Sequence, residues 1–208
     1  MWSTFLIALP AVLFIVDPIG VVPLFVAMTA NDAPEKCRAM ARRACVTALF
    51  VLVFFAMFGT VIFKVFGVTL AAFRVAGGLL LMLTALDMLR AQHPATKTSA
   101  AEAQEGAEQE DIAIVPLAMP LLAGPGAIAT VMVLMAEYGG EWTGAAIVIG
   151  CIAITFFITY LLLRSANVVK RVLKQTGIAI LERVFGLILA AIAVQFVFEG
   201  GKALLATS

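Results

Sequence analysis

The sequence predicts an all-α integral membrane protein. It would have six transmembrane helices, built as two inverted-topology three-helix repeats, with helices one and four discontinuous. Three observations carry this. Of 208 residues, 63% are hydrophobic and only 13% charged, and the mean hydropathy is +1.08; soluble domains carry about 25% charged residues. Six segments reach the roughly 20 mostly apolar residues that a span needs. Finally, the two halves share landmarks in the same order. "DPIG" at Asp17 to Gly20 precedes "FRVAGGLLL" from Phe73, and "GPGA" at Gly124 to Ala127 precedes "ERVFGLILA" from Glu182.

The first span runs from near Trp2 to Ala30, without the basic flank of a signal peptide, and reads as a retained helix. The second covers roughly Ala44 to Phe63, and the third roughly Thr69 to Leu89. Residues 91–111 form a polar linker rich in Ala, Glu, Gln and Ser, too polar to build a core and expected to be mobile. The fourth span runs from Ile112 to about Met135, the fifth from about Thr143 to Leu163 and the sixth from about Ile178 to Phe198. The domain organisation is therefore a first repeat at 1–90 and a second at 112–208. All spans must be helical, because no other open structure satisfies its backbone in hydrocarbon.

Three spans is an odd number, so a tandem copy enters the membrane from the opposite side. The cations agree with this. Lys36, Arg38, Arg42, Arg43, Arg90, Lys97, Arg164, Lys170, Arg171 and Lys174 fall in loops on one side, and Lys64, Arg74 and Lys202 on the other. The richer side is cytoplasmic, which places both termini outside the cytoplasm. Arg74 and Arg183 match in the repeats and lie near opposite faces, where each guanidinium can snorkel to its own interface. Asp87 with Arg90, and Glu199 with Lys202, have the spacing of helix-end ion pairs. Gly77, Gly78 and Gly186 are expected as close helix-packing positions.

Asp17-Pro18 interrupts an apolar run that, at ~1.5 Å per residue, is longer than one perpendicular span of ~30 Å. Pro18 removes a donor and pushes Asp17 out of helical geometry. Asp followed by Pro is also the signature of a helix start. Met119-Pro120 and Gly124-Pro125-Gly126 break the fourth span similarly. There the cap position holds a glycine, so the amides of Gly126, Ala127 and Ile128 are expected to be free. Broken backbone at membrane depth survives only in protein or beside a cavity, and transporters place their sites at such breaks.

Asp17 has two readings. As a cap it contributes about 1 kcal/mol. An acid at the bilayer centre costs ~2.5–3.5 kcal/mol, so Ser or Asn would serve capping better. A binding role accounts for the excess cost. The candidate substrate-binding residues are Asp17, Pro18, Ile19, Gly20, Gly124, Pro125, Gly126, Ala127, Ile128 and Thr130. Thr130 either faces the site or bonds back to its own helix. A carboxylate at one restart and bare amides at the other suit a small zwitterion, with Asp17 near its ammonium or carrying a coupling proton.

Other classes are excluded more simply. A net charge of +1 gives no field for nucleic acid. Cys37, Cys45 and Cys151 form no metal-binding spacing, and His93 stands alone in a polar loop, so neither a metal nor another cofactor is expected. With no nucleophile–base pair at depth, the chain does not read as an enzyme.

The motifs "DPIGVVPLF", "FRVAGGLLL", "IVPLAMPLLAGPGAIATVM" and "LERVFGLILAAIAVQ" resemble those of the MarC family across nearly the whole chain. The resemblance implies a multi-pass protein of the bacterial inner membrane with an inverted pair of three-helix repeats. It implies transport of small neutral amino acids such as alanine or glycine, with a proton or sodium ion as the coupling ion, and it leaves room for an oligomer in the lipid bilayer. Many members have Asn where this chain has Val21, which bears on the substrate rather than on the fold. Two competing readings stand beside this: an exporter of another small metabolite or ion, and a non-transporting membrane subunit.

Overall fold

The computed structural model describes residues 2–29, 32–90 and 113–207. Among these the chain is all-helical. The linker expected at 91–111, with His93 and Lys97, lies outside the described residues.

Helix α1 spans Trp2–Val16 and α2 spans Pro18–Met28. Asp17 stands between them at φ 53°, ψ 64°, a left-handed conformation that is uncommon for a residue other than glycine. Pro18 takes the first helical position of α2, where its missing donor costs nothing. Helix α3 spans Pro34–Phe66 and closes on Gly67 at φ 65°, with the Val68 amide donating to the Phe63 carbonyl at 3.0 Å. That is a glycine C-cap. Helix α4 spans Leu70–Leu89.

Helix α5, Ala113–Leu122, is wound as a π-helix, a form otherwise mostly confined to single turns. Pro116 and Pro120 remove two donors from its ten residues, and the ladder continues past its end with Ala123 N–H donating to the Ala118 carbonyl at 2.9 Å. Helix α6 spans Pro125–Tyr138, α7 Trp142–Arg164, and α8 Ala166–Thr207. Helix α8 is interrupted at Lys174, whose φ of 53° and ψ of −179° are non-helical.

Among the described residues five helical stretches are long and apolar enough to cross a membrane: Trp2–Met28, Pro34–Gly59, Leu70–Leu89, Trp142–Arg164 and Thr176–Ala206. The expected fourth span differs. The interruption at Ala123-Gly124 leaves α5 and the 14-residue α6, each too short to cross alone. One other boundary departs from expectation. Helix α3 begins ten residues before Ala44, because Pro34 and Glu35 make a good first turn and Met40, Ala41, Ala44, Cys45 and Ala48 supply a buried stripe between the cations. Helix α8 begins at Ala166, but its spanning part begins at Thr176, close to the expected Ile178. Hydropathy locates hydrocarbon, and both helices extend beyond it.

Helices α4 and α8 make the most extensive contact, antiparallel and nearly backbone to backbone. A Cβ added to Gly78 would lie 2.9 Å from the Ala193 carbonyl oxygen and 2.8 Å from Val197 Cγ2. One added to Gly186 would lie 3.0 Å from the Ala85 carbonyl oxygen, and one on Gly200 2.8 Å from that of Ala71. Gly186, Ala193 and Gly200 recur every seven residues, so they line one face of α8. Such small residues let membrane helices approach closely. Gly77 faces α6, where its Cβ would meet that of Ala129 at 3.2 Å.

The common core draws Ile15, Leu52, Leu81, Leu117, Leu134, Ile152 and Leu189 from seven of the helices. Phe50, Phe54, Phe58, Phe157 and Leu187 point outward, an apolar exterior suited to lipid. The Thr69 hydroxyl caps α4 by accepting from Ala72 N–H at 3.1 Å. Thr69→Ala is expected to destabilise the protein by about 1 kcal/mol, read from a denaturant titration in detergent micelles.

Candidate functional site

The candidate residues fall at two helix starts. At the first, the Asp17 backbone amide still donates to Leu13 at 3.0 Å, so the chain leaves α1 only at this residue. Its side chain folds back over α2, where Oδ1 accepts from Gly20 N–H at 3.1 Å. Asp17 is 4% exposed. Gly20 is required by this cap, because a Cβ there would overlap the Asp17 carboxylate. Pro18 is buried, and Ile19 and Gly20 are half-buried.

At the second start, Gly124 is buried and extended at φ −72°, ψ 168°, with no side chain to cap α6. Pro125 is exposed, Gly126 and Ile128 half-buried, and Ala127 buried. The Ile128 amide, expected to be free, donates to the Gly124 carbonyl at 3.0 Å. The reason is general: the N-cap carbonyl accepts the first intrahelical bond. The amides available to a ligand there are those of Gly126 and Ala127. Thr130, buried, donates its hydroxyl to the Gly126 carbonyl at 2.8 Å, the second of its two expected roles.

The second start packs against the end of α1 and against α4, through Ile15 and Thr84. A Cβ on Gly126 would lie 3.1 Å from Ile15 Cδ1 and 3.8 Å from Thr84 Oγ1. Ile15 is two residues before Asp17. Thr84 is 2% exposed on α4, and its hydroxyl donates to the Leu80 carbonyl at 3.1 Å. Thr84 was not among the sequence candidates. One threonine in an apolar span carries no local signal, and only packing puts it beside Gly126. Thr155 on α7 is equally silent in the sequence; it is fully buried, and its hydroxyl has no hydrogen-bond partner among the described residues.

Arg74 corrects a second expectation. It does not simply snorkel: its guanidinium donates to Glu137 Oε2 at 2.8 Å and to Glu199 Oε2 at 3.4 Å, tying α4 to α6 and α8. Its Nε is buried without a partner. Glu199 is also engaged by the Gln195 side-chain amide at 2.9 Å, within its own helix. The cluster lies at the face that holds Thr4, because Thr4 and Glu137 line one cavity of about 280 Å³ with Glu141 and Thr143. Both acids are about a third exposed, so each pair is worth at most about 1 kcal/mol. Glu137→Gln is expected to cost more stability than Glu199→Gln, because its bond is shorter. Both losses should shrink as salt is raised in a thermal melt.

Among the described residues no group of three His, Cys, Asp or Glu side chains could hold a metal ion.

Comparison with known proteins extends the resemblance over the whole chain. The model of the MarC family integral membrane proteins matches residues 2–205. A UPF0056 membrane protein of Methanocaldococcus jannaschii is 42% identical over 196 residues, 94% of this chain and 95% of that protein. The UPF0056 membrane protein YvbG of Bacillus subtilis is 37% identical, over 89% of this chain and 88% of its own length. YhcE of Escherichia coli is 34% identical, over 90% and 87%. No solved structure matches. With an apolar helical body and a match from Trp2 almost to the last residue, the chain belongs to the MarC family of integral membrane proteins.

Proposed function

We propose that this protein is a secondary transporter of small neutral amino acids of the alanine or glycine kind, driven by a proton or sodium gradient. The observation that carries the reading is the packing of Ile15, at the end of α1, against Gly126, at the start of α6. The buried Asp17 carboxylate begins α2, the uncapped Gly126 amide begins α6, and Ile15, two residues before Asp17, packs against Gly126. A zwitterion set there has its carboxylate on the Gly126 and Ala127 amides, at the positive end of α6. Its ammonium faces Asp17. Ile15 and Thr84 lie close against Gly126, which favours a substrate with a small side chain.

In this reading α1 with α2, and α5 with α6, are the two broken spans of an inverted repeat, and α3 and α7, then α4 and α8, are its remaining pairs. The packing supports it. Exchanging the halves turns the α1–α7 contact into α5–α3, α2–α7 into α6–α3, and α2–α8 into α6–α4, and all six contacts occur. The two self-paired contacts, α3–α7 and α4–α8, occur as well. Inverted repeats suit alternating access, in which one half rocks against the other around a fixed site. Asp17 is buried here, so substrate enters only when the halves move.

The test is uptake of labelled alanine and glycine into proteoliposomes under an imposed proton or sodium gradient. Saturable, gradient-dependent uptake is the expected result. Absence of uptake under either gradient would overturn the substrate assignment and favour an exporter or a non-transporting subunit.

A further inference from the structure

A second cavity, of about 460 Å³, lies at the face opposite the Arg74 cluster, between the C-terminal end of α2, the N-terminal end of α3 and the corner where α7 meets α8. Three cations line it, Arg38 from α3, Arg164 from α7 and Lys170 from α8. The only carboxylate among its described lining residues is Asp32, already taken by Lys36 at 2.7 Å. The cavity therefore presents net positive charge from three separate helices. Its other walls combine apolar Phe25, Val26, Leu163 and Val168 with polar Thr29, Ser165 and Asn167.

A second observation fixes the depth of this cavity. The turn at Lys174 separates Ala166–Leu173 from the spanning part of α8, which begins at Thr176. In that first segment Val168 and Val172, one helical turn apart, are 61% and 72% exposed, while Lys170 and Arg171 are its cations and Lys174 stands at the turn. An exposed apolar pair beside three cations is the composition of a segment lying in the membrane interface. A cavity beside such a segment would open at the level of lipid headgroups.

We infer that this cavity binds the phosphodiester headgroup of an anionic phospholipid, with Arg38, Arg164 and Lys170 around the phosphate and the glycerol and upper acyl chains along Val168 and Phe25. Basic pockets between spanning helices recognise anionic headgroups in this way, and arginine suits phosphate by its planar fork of donors. A free phosphate would satisfy the cations but leave Phe25 and Val168 wet. A cation would be repelled. The inference is independent of what the protein transports.

The test uses the full chain in phosphatidylcholine nanodiscs, titrated with a short-chain phosphatidylglycerol and read by native mass spectrometry. Saturable phosphatidylglycerol binding is expected, with phosphatidylcholine unable to replace it. The double variant Arg38→Gln/Arg164→Gln should lose at least tenfold in affinity. Arg42→Gln/Arg171→Gln removes the same charge from exposed positions outside the cavity and should lose less than twofold. Arg38→Lys/Arg164→Lys keeps the charge, guards against a folding defect in the glutamine pair, and should retain most of the binding. Equal losses in both glutamine pairs would overturn the site in favour of general surface attraction. Displacement of the lipid by equimolar inorganic phosphate would overturn the phospholipid as its ligand.

Discussion

Asp17→Asn is expected to reduce gradient-driven uptake of alanine and glycine by ten- to a hundredfold while leaving the fold nearly unchanged. The two effects separate because asparagine caps helices about as well as aspartate does. Its side-chain oxygen can still accept from Gly20 N–H, in place of the carboxylate oxygen that does so at 3.1 Å. What disappears is the charge. A hydrogen bond to a charged group is worth about 1.5–3 kcal/mol, which is roughly one to two decades at 1.4 kcal/mol each. Asp17→Ala removes the cap as well and should cost a further 1 kcal/mol or so of stability. Uptake and a melting curve, measured on the same preparations, distinguish the two variants. Undiminished uptake by Asp17→Asn would reduce the carboxylate to a cap and move the search for the coupling group elsewhere.

The second large effect is on stability. Gly200→Ala is expected to destabilise by about 1–3 kcal/mol, because its Cβ would meet the Ala71 carbonyl oxygen and Val75 Cγ2 at 2.8 Å. Backbone cannot rotate away as a side chain can. Gly201→Ala, the neighbouring residue, adds a Cβ with nothing within 4 Å. It should be neutral or gain up to about 1 kcal/mol, since alanine is the better helix former. Gly78→Leu should exceed both and prevent assembly, as its site is closed by the Ala193 carbonyl and Val197. Denaturant titration of the three variants reads the series. Similar losses at Gly200 and Gly201 would mean that helix flexibility, and not the α4–α8 contact, sets the cost.

Much of this architecture can be read along the chain, because lipid and backbone impose local rules. Apolar stretches of span length mark α1 with α2, α4, α7 and the later part of α8. Pro18, Pro34 and Pro125 stand at first helical positions, where proline's missing donor is harmless. The small residues of α8 announce a close neighbour, although not which one. The parts that were not legible depend on packing between distant segments. Arg74 and Glu137 are 63 positions apart, and Arg74 and Glu199 are 125 apart. Spacing suggested Lys202 as the partner of Glu199, whereas folding supplies Arg74. Thr84 reaches Gly126 only through the α4–α6 contact. The free amide expected at Ile128 failed for a local reason: the carbonyl of a capping glycine accepts regardless of its missing side chain. The π winding of α5 was equally invisible, since two prolines four residues apart predict a disturbed helix without saying in which direction the ladder gives way.

The glycine and alanine face shared by α4 and α8 also constrains how such a protein can evolve. Each contact sets a small residue of one half against the main chain of the other. A substitution at Gly78, Gly186 or Gly200 cannot be absorbed where it occurs; it has to be matched by a shift of the facing helix, which belongs to the other half. If the halves descend from one ancestral three-helix unit, they were never free to diverge at these positions independently. The loops and lipid-facing residues could drift apart, while the seam had to change by paired steps or not at all.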